Sequence, residues 1–157
     1  MNTTQQDQTV QLTQKGLDAL IEELDELIKV KRPKMVKRLA NARAEGDLKE
    51  NSDYHNARDD LGFLDGRIEE LEHVIKNAVV VANQTNGGIG VGTKVTLEVS
   101  KNEVVYHIVG EWEADPMKKK ISHTSPLGQA LVGKKVGEVV EVEAPAGKVV
   151  YKIVSVN

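Results

Sequence analysis

The chain has 157 residues, a formal net charge of −3, no cysteine and five aromatic side chains, Tyr54, Phe63, Tyr106, Trp112 and Tyr151. That length fits one ordinary domain or two small ones, and a composition 39% hydrophobic and 3% aromatic requires an aliphatic core. The absent cysteines exclude disulfides, zinc ribbons, iron–sulfur clusters and thiol chemistry, the few aromatics argue against a binder that stacks single-strand bases, and the mild charge argues against attachment to nucleic acid by overall charge.

Residues 1–11 are polar and lack the apolar stretch of a signal peptide. No window approaches the roughly 20 apolar residues of a membrane span. The expectation is a cytoplasmic chain with no membrane partner.

Residues 13–78 contain one proline and read as helix. Thr13 is the expected N-cap, with Leu12 and Leu17 as a hydrophobic staple. Leu17, Leu20, Ile21, Leu24, Leu27 and Ile28 form a helical apolar stripe, which resumes at Met35, Leu39 and Ala42. Pro33 removes one helical hydrogen bond and is expected to kink or loosen the helix. A polar segment follows at 44–53, where Gly46 supplies the backbone freedom for a reversal. Beyond it, Tyr54, Ala57, Leu61, Leu64, Ile68, Leu71, Ile75 and Ala78 alternate spacings of three and four, a heptad seam. Two helices with facing seams predict an antiparallel hairpin. At 1.5 Å per residue its first arm, Gln14 to Glu45, reaches ~48 Å and is expected to project.

After residue 78 the apolar period becomes two. Residues 83–88 read as a linker, and strands are expected at 79–82, 91–99, 103–109, 119–123, 138–143 and 148–156. Residues 144–148 read as the turn joining the last two strands, and Ser125-Pro126 as the N-cap and first position of a short helix. The fold class is therefore α+β. An N-terminal helical hairpin over 1–79, with its tip at 44–53, precedes a twisted antiparallel sheet with one short helix over 80–157.

Charge is segregated along the hairpin. Residues 29–43 carry Lys29, Lys31, Arg32, Lys34, Lys37, Arg38 and Arg43 with no acid, while 59–72 carry six acids and only Arg67. Two readings stand side by side: pairing between the helices, or a basic surface aimed at a phosphate backbone. Glu45, Asp47, Glu50 and Asp53 crowd the tip, flanked by Arg43, Lys49 and Arg58. Asp47 and Glu50 fit a capping box, with Asp47 as N-cap. They also offer the hard oxygens that magnesium prefers, but two carboxylates alone leave most octahedral positions to water or a substrate phosphate. Such a pair completes a site supplied by a partner. His55, His73, His107 and His123 are scattered, without zinc-site spacing. The glycines at 87, 88, 90 and 92 lack a nucleotide-loop context. Lys118-Lys119-Lys120 reads as a solvated run, and Trp112 as partly buried at a strand end.

Pro33, the run from Ala42-Arg43-Ala44-Glu45-Gly46-Asp47-Leu48-Lys49-Glu50-Asn51-Ser52-Asp53-Tyr54 to Arg58, and Gly62-Phe63-Leu64-Asp65-Gly66-Arg67-Ile68 resemble the bacterial transcript-cleavage factors of the GreA/GreB family. So do residues 121–127 and 130–134 in the second half. Because the basic side chains form one segment on one arm, the GreA-like pattern fits better than the GreB-like one. The resemblance implies a C-terminal domain similar to FK506-binding proteins that docks on the rim of the secondary channel of bacterial RNA polymerase. Thr124, Ser125 and Pro126 match the rim-binding segment. It implies that the hairpin enters the channel and meets the extruded 3′ end of backtracked RNA. Asp47 and Glu50 match the family's tip acids, which help hold a second Mg2+ and orient the attacking water, so that the polymerase cuts its own transcript. The chain would hold no cofactor alone and would be an accessory factor rather than an enzyme. Arg43, Lys49, Asn51, Tyr54 and Arg58 are then candidates for contact with RNA or polymerase, with hairpin salt bridging and seam packing as alternative roles for the arginines and Tyr54. The expected state is a monomer. Competing functions are a channel-binding paralogue that modulates the polymerase without cleavage, a prolyl isomerase and a purely structural coiled coil. The acid pair favours the cleavage factor, and fold alone does not establish isomerase activity.

Overall fold

In a computed structural model the described residues are 9–82 and 88–157. The expectations for residues 1–8, and most of the expected linker at 83–88, lie outside them. Among the described residues, contacts divide the chain into a helical unit, residues 18–77, and a sheet unit formed by residues 9–17 together with 78–82 and 88–157.

The helical unit is a hairpin. Its first arm runs through α1 (Gln14–Glu26), a π-helical turn (Leu27–Lys31) and α2 (Arg32–Ala44), and its second is α3 (Ser52–Lys76). The loosening expected at Pro33 takes the form of that π turn, in which the Arg32 N–H donates to the Leu27 carbonyl, five residues back. The turn also keeps the seam in phase. Leu27 to Met35 spans eight positions, one more than a heptad. In an unbroken α-helix the extra residue would rotate the following stripe by ~100°. One wide turn absorbs it, so Ala42 is buried at the far end as Leu20 and Leu27 are at the near end.

The buried stripe is narrower than the sequence suggests, because Ile21 and Ile28 are 46% and 41% exposed. In α3 the buried residues are Ala57, Leu64, Ile68, Leu71 and Val74. The expected seam residue Ile75 is only half-buried, and Val74 takes the inner position. Val74 follows Leu71 by three positions, so the buried row Leu64, Ile68, Leu71 and Val74 ends on an i, i+3 step.

The sheet unit contains two sheets. In the first, β1 (Val10–Leu12) pairs in parallel with β2 (Ala78–Val80), Leu12 opposite Val80. β1 is not legible in the sequence, since three residues are too short for a period-two signal. The second sheet has the order β5-β4-β3-β7-β6. Its strands are β3 (Lys94–Val99), β4 (Asn102–Val109), β5 (Lys120–Ser122), β6 (Val139–Ala144) and β7 (Gly147–Val156), close to the expected spans. Three of its four pairings are antiparallel, but β5 lies parallel to β4. The sheet is therefore mixed rather than antiparallel throughout. The reason is the connection, a crossover through two 3-10 turns (Glu111–Glu113 and Pro116–Lys118) instead of a tight hairpin. Trp112 is half-buried in the first of these, directly after β4. A bulge between Thr96 and Leu97 shifts the β3–β7 register.

The core of this sheet is Ile89, Val95, Leu97, Ile108, Leu131, Val140 and Ile153, an aliphatic set as composition requires. Leu131 belongs to the short helix α4 (Pro126–Leu131), with Ser125 as N-cap and Pro126 at its first position as expected. The expected N-cap Thr13 also holds, its Oγ1 accepting from the Gly16 N–H at 3.0 Å. A distant acid joins it. The Glu113 carboxylate accepts from the Thr13 hydroxyl, the Thr13 N–H (2.9 Å) and the Gly110 N–H (3.2 Å). Donors left over at the start of α1 are thus satisfied from the 3-10 turn after β4. Among the described residues no helix is long and apolar enough to cross a membrane.

Candidate functional site

The tip lies between the end of α2 and the start of α3, and Arg43 through Glu50 are all exposed there. The reversal uses Gly46 at φ +86° and Asp47 at φ +22°. Glycine takes a positive φ without steric cost, and aspartate is among the few other residues that tolerate one. Residues 48–50 then form a turn, and α3 begins at Ser52.

The capping-box reading of Asp47 and Glu50 is therefore overturned. The N-cap is Asn51, whose Oδ1 accepts from the Tyr54 N–H at 3.0 Å. The two acids are spaced for a cap, but the residues between them do not start the helix. The same Asn51 side chain faces back to the other arm, its Nδ2 donating to the Ala42 carbonyl at 2.6 Å and the Gly46 carbonyl at 3.3 Å. One amide satisfies a donor at the start of α3, an acceptor in the last turn of α2 and another in the reversal.

The structure also separates the four tip acids. Asp53 pairs with Arg38, which bridges Asp53 and Asp60 at 2.9 Å each. Among the described residues Glu45, Asp47 and Glu50 make no ion pair with any side chain. No three acid or imidazole groups converge as a metal site would need, again among the described residues. Asp47 and Glu50 offer hard oxygen donors of the kind that suit magnesium or calcium, and by themselves fill only part of a coordination shell.

Arg43 and Arg58 flank the acids and converge on Tyr54. Their guanidinium carbons lie 5.8 and 6.0 Å from the ring centroid, at cation–π range. Tyr54 is half-buried on the seam and carries both arginines. His55 packs edge-on against the same ring at 5.5 Å. Arg58 also makes a long ion-pair contact, 3.7 Å, to its neighbour Asp59, and Lys49 is exposed.

Down the hairpin, pairing between the arms accounts for part of the basic run. Arg32 binds Asp65 through two nitrogens, at 2.7 and 3.3 Å, and Arg67 binds Glu23 and Glu70 at 3.0 and 2.8 Å. The hydrogen bonds to these acids, with their charge, raise the pKa of Arg32, Arg38 and Arg67. Lys31, Lys34 and Lys37 are exposed and make no such pair among the described residues.

In the sheet unit, Thr124, Ser125 and Pro126 form the corner between β5 and α4. Ser125 Oγ donates to the Ser122 carbonyl at 2.7 Å and accepts from the Gly128 N–H at 3.1 Å, while Thr124 and Ser122 share a hydroxyl contact of 2.7 Å. Thr124 and Pro126 are exposed and Ser125 half-buried. The corner is a preformed surface whose polar groups are used within it. Ser122, buried beneath it, was not anticipated from sequence, because its partners come from the next turn.

An acid-tipped helical hairpin followed by a small mixed sheet with a preformed corner defines the GreA/GreB class of transcription elongation factors, and the chain belongs to that family. The family's N-terminal description, "Transcription elongation factor, N-terminal", matches residues 10–80, and "Transcription elongation factor, GreA/GreB, C-term" matches 84–157. The chain is 48% identical over 150 residues to transcription elongation factor GreA of Thermoanaerobacter pseudethanolicus, covering 93% of this chain and 96% of that protein. It is 44% identical over 153 residues to GreA of Nitrosococcus oceani, covering 94% and 97%. Among solved structures it is similar to the GreA factor homolog 1 (Gfh1) protein of Thermus thermophilus, with 28% identity, 96% and 99% coverage and a TM-score of 0.46.

Proposed function

We propose that this transcription elongation factor stimulates bacterial RNA polymerase to cleave its own backtracked transcript, releasing arrested complexes. The observation that carries the reading is the tip itself. Asp53 is neutralised by Arg38, whereas Asp47 and Glu50 are exposed and make no ion pair among the described residues. The hairpin inserts into the secondary channel, while Thr124, Ser125 and Pro126 face the channel rim. Inside the channel, Asp47 and Glu50 present carboxylate oxygens to a cation site that the polymerase completes, and help orient the attacking water. When bound, Mg2+ there supplies charge neutralisation and an activated water. Arg43 and Arg58, held on Tyr54, face phosphates of the extruded RNA 3′ end, and Lys49 adds charge beside them. In this reading the chain is an accessory factor that works as a cytoplasmic monomer, with Asp47 and Glu50 completing a site whose remaining ligands come from the polymerase.

The test uses a stalled, backtracked elongation complex with Mg2+. The wild-type factor is expected to release short 3′ RNA fragments. Asp47→Asn retains a residue that tolerates a positive φ but removes the charged ligand. It is expected to slow cleavage at least tenfold while still competing with wild-type factor for polymerase. Undiminished cleavage by Asp47→Asn would remove the ligand role. A wild-type factor that binds and only inhibits would be a channel-binding modulator instead.

A further inference from the structure

We propose that Asn51 is the positioning residue of the tip, fixing where Asp47 and Glu50 point by tying the end of α2 to the start of α3 through one side chain. The inference rests on the reading of Asp47 and Glu50 as the cleavage-stimulating acids.

The reversal from Glu45 to Glu50 lies outside both helices and includes two consecutive residues at positive φ. Gly46 takes its φ without cost, whereas Asp47 at φ +22° is a non-glycine residue that its surroundings must hold. Within the reversal, backbone hydrogen bonds are few and long: the Glu45 N–H reaches the Ala42 carbonyl, and the Gly46 N–H the Arg43 carbonyl, both at 3.3 Å. The Asn51 amide supplies the remaining ties. Its oxygen caps α3 at Tyr54, and its nitrogen holds the Ala42 and Gly46 carbonyls. Gly46 directly precedes Asp47, and Glu50 directly precedes Asn51. Both acids therefore sit one residue from an atom that Asn51 fixes, as a ligand pair held to a useful tolerance requires. The side chain uses its oxygen and both donor directions within the hairpin, which leaves it little capacity for RNA or polymerase.

Asn51→Asp separates the two halves of this role. An aspartate caps as well as an asparagine and suits the helix dipole, so α3 keeps its start. It cannot donate, so the ties to Ala42 and Gly46 are lost. Asn51→Ser is the second variant, a good cap whose short side chain does not span to Ala42. Two measurements decide. Backbone NMR of the free factor is expected to show altered amide shifts and reduced order over residues 45–50 in both variants, with α3 helicity unchanged. In the backtracked-complex assay, the cleavage rate at saturating factor is expected to fall at least tenfold, with the half-saturating concentration within twofold of wild type. Tip spectra that superimpose on wild type overturn the proposal, and assign any cleavage defect to a direct contact by Asn51. Altered tip spectra with full cleavage overturn it as well. A wild-type factor that fails to promote cleavage would sink the functional reading, while the spectra still decide whether Asn51 holds the loop.

Discussion

Glycine has opposite requirements at two places in the hairpin. Gly46 sits at φ +86° with nothing within 4 Å of where a Cβ would stand, so the cost of a side chain there is backbone strain alone. Gly46→Ala is expected to destabilise by about 1–2 kcal/mol. Gly62 and Gly66 lie inside α3 with the same open space. There alanine is expected to stabilise by roughly 0.5–1 kcal/mol each, because the helix no longer restricts the most flexible residue. Urea unfolding of the three single variants checks both signs. The reversal at Gly46 was legible in the sequence, and so were the acids and arginines around it. The capping role was misplaced from Asn51 to Asp47. Both residues cap well, and the choice turns on where the chain first becomes helical, which local spacing does not encode.

Among the elements, helix stripes and strand alternation were legible because they repeat, and the features that escaped are those made by distant partners. The π turn illustrates the first: Pro33 marks the place, and the eight-residue step from Leu27 to Met35 gives the reason. The cap on α1 illustrates the second. Thr13 was identifiable, but Glu113 arrives from a hundred residues away. The two segments are tightly apposed. A Cβ built on Gly16 would stand 2.0 Å from the Glu113 side-chain Cδ. That atom is the far end of a flexible side chain, so Gly16→Ala displaces the carboxylate rather than the backbone. Losing its bonds to Thr13 and Gly110 is expected to cost about 1–2 kcal/mol, the range of a lost helix cap. Glu113→Ala removes the same bonds and is expected to cost a similar amount. The double variant is then expected to be no worse than either single one, since alanine in the first turn of α1 meets no carboxylate and gains helix propensity. A thermal-unfolding cycle that finds the two costs additive would show that the clash and the cap are separate effects.

At the scale of the whole molecule, a histidine in the sheet unit links stability to pH. The helical unit's arms are joined by exposed arginine–aspartate pairs, such as Arg32–Asp65 and Arg38–Asp60. Histidine changes charge near pH 6.5. In the sheet unit His107, half-buried on β4 opposite Lys94, has its pKa lowered by desolvation and then by the charges of Lys94, Lys120 and Lys15. The folded state thus holds His107 neutral at pH values where the unfolded chain already binds a proton. Proton uptake by the unfolded state makes stability rise with pH, so His107 costs nothing well above pH 6.5 and weakens the fold as pH falls through that value, until the folded state takes up the proton too. Acidification from pH 7.5 to 5.5 is expected to lower the unfolding midpoint while leaving most carboxylates charged. Trp112, the single tryptophan, lies directly after β4 and reports on the sheet unit by fluorescence. His107→Gln is expected to flatten the pH dependence of the Trp112 transition over that window. If the slope survives the substitution, the lysine-flanked imidazole is not the group that carries the acid sensitivity of the sheet.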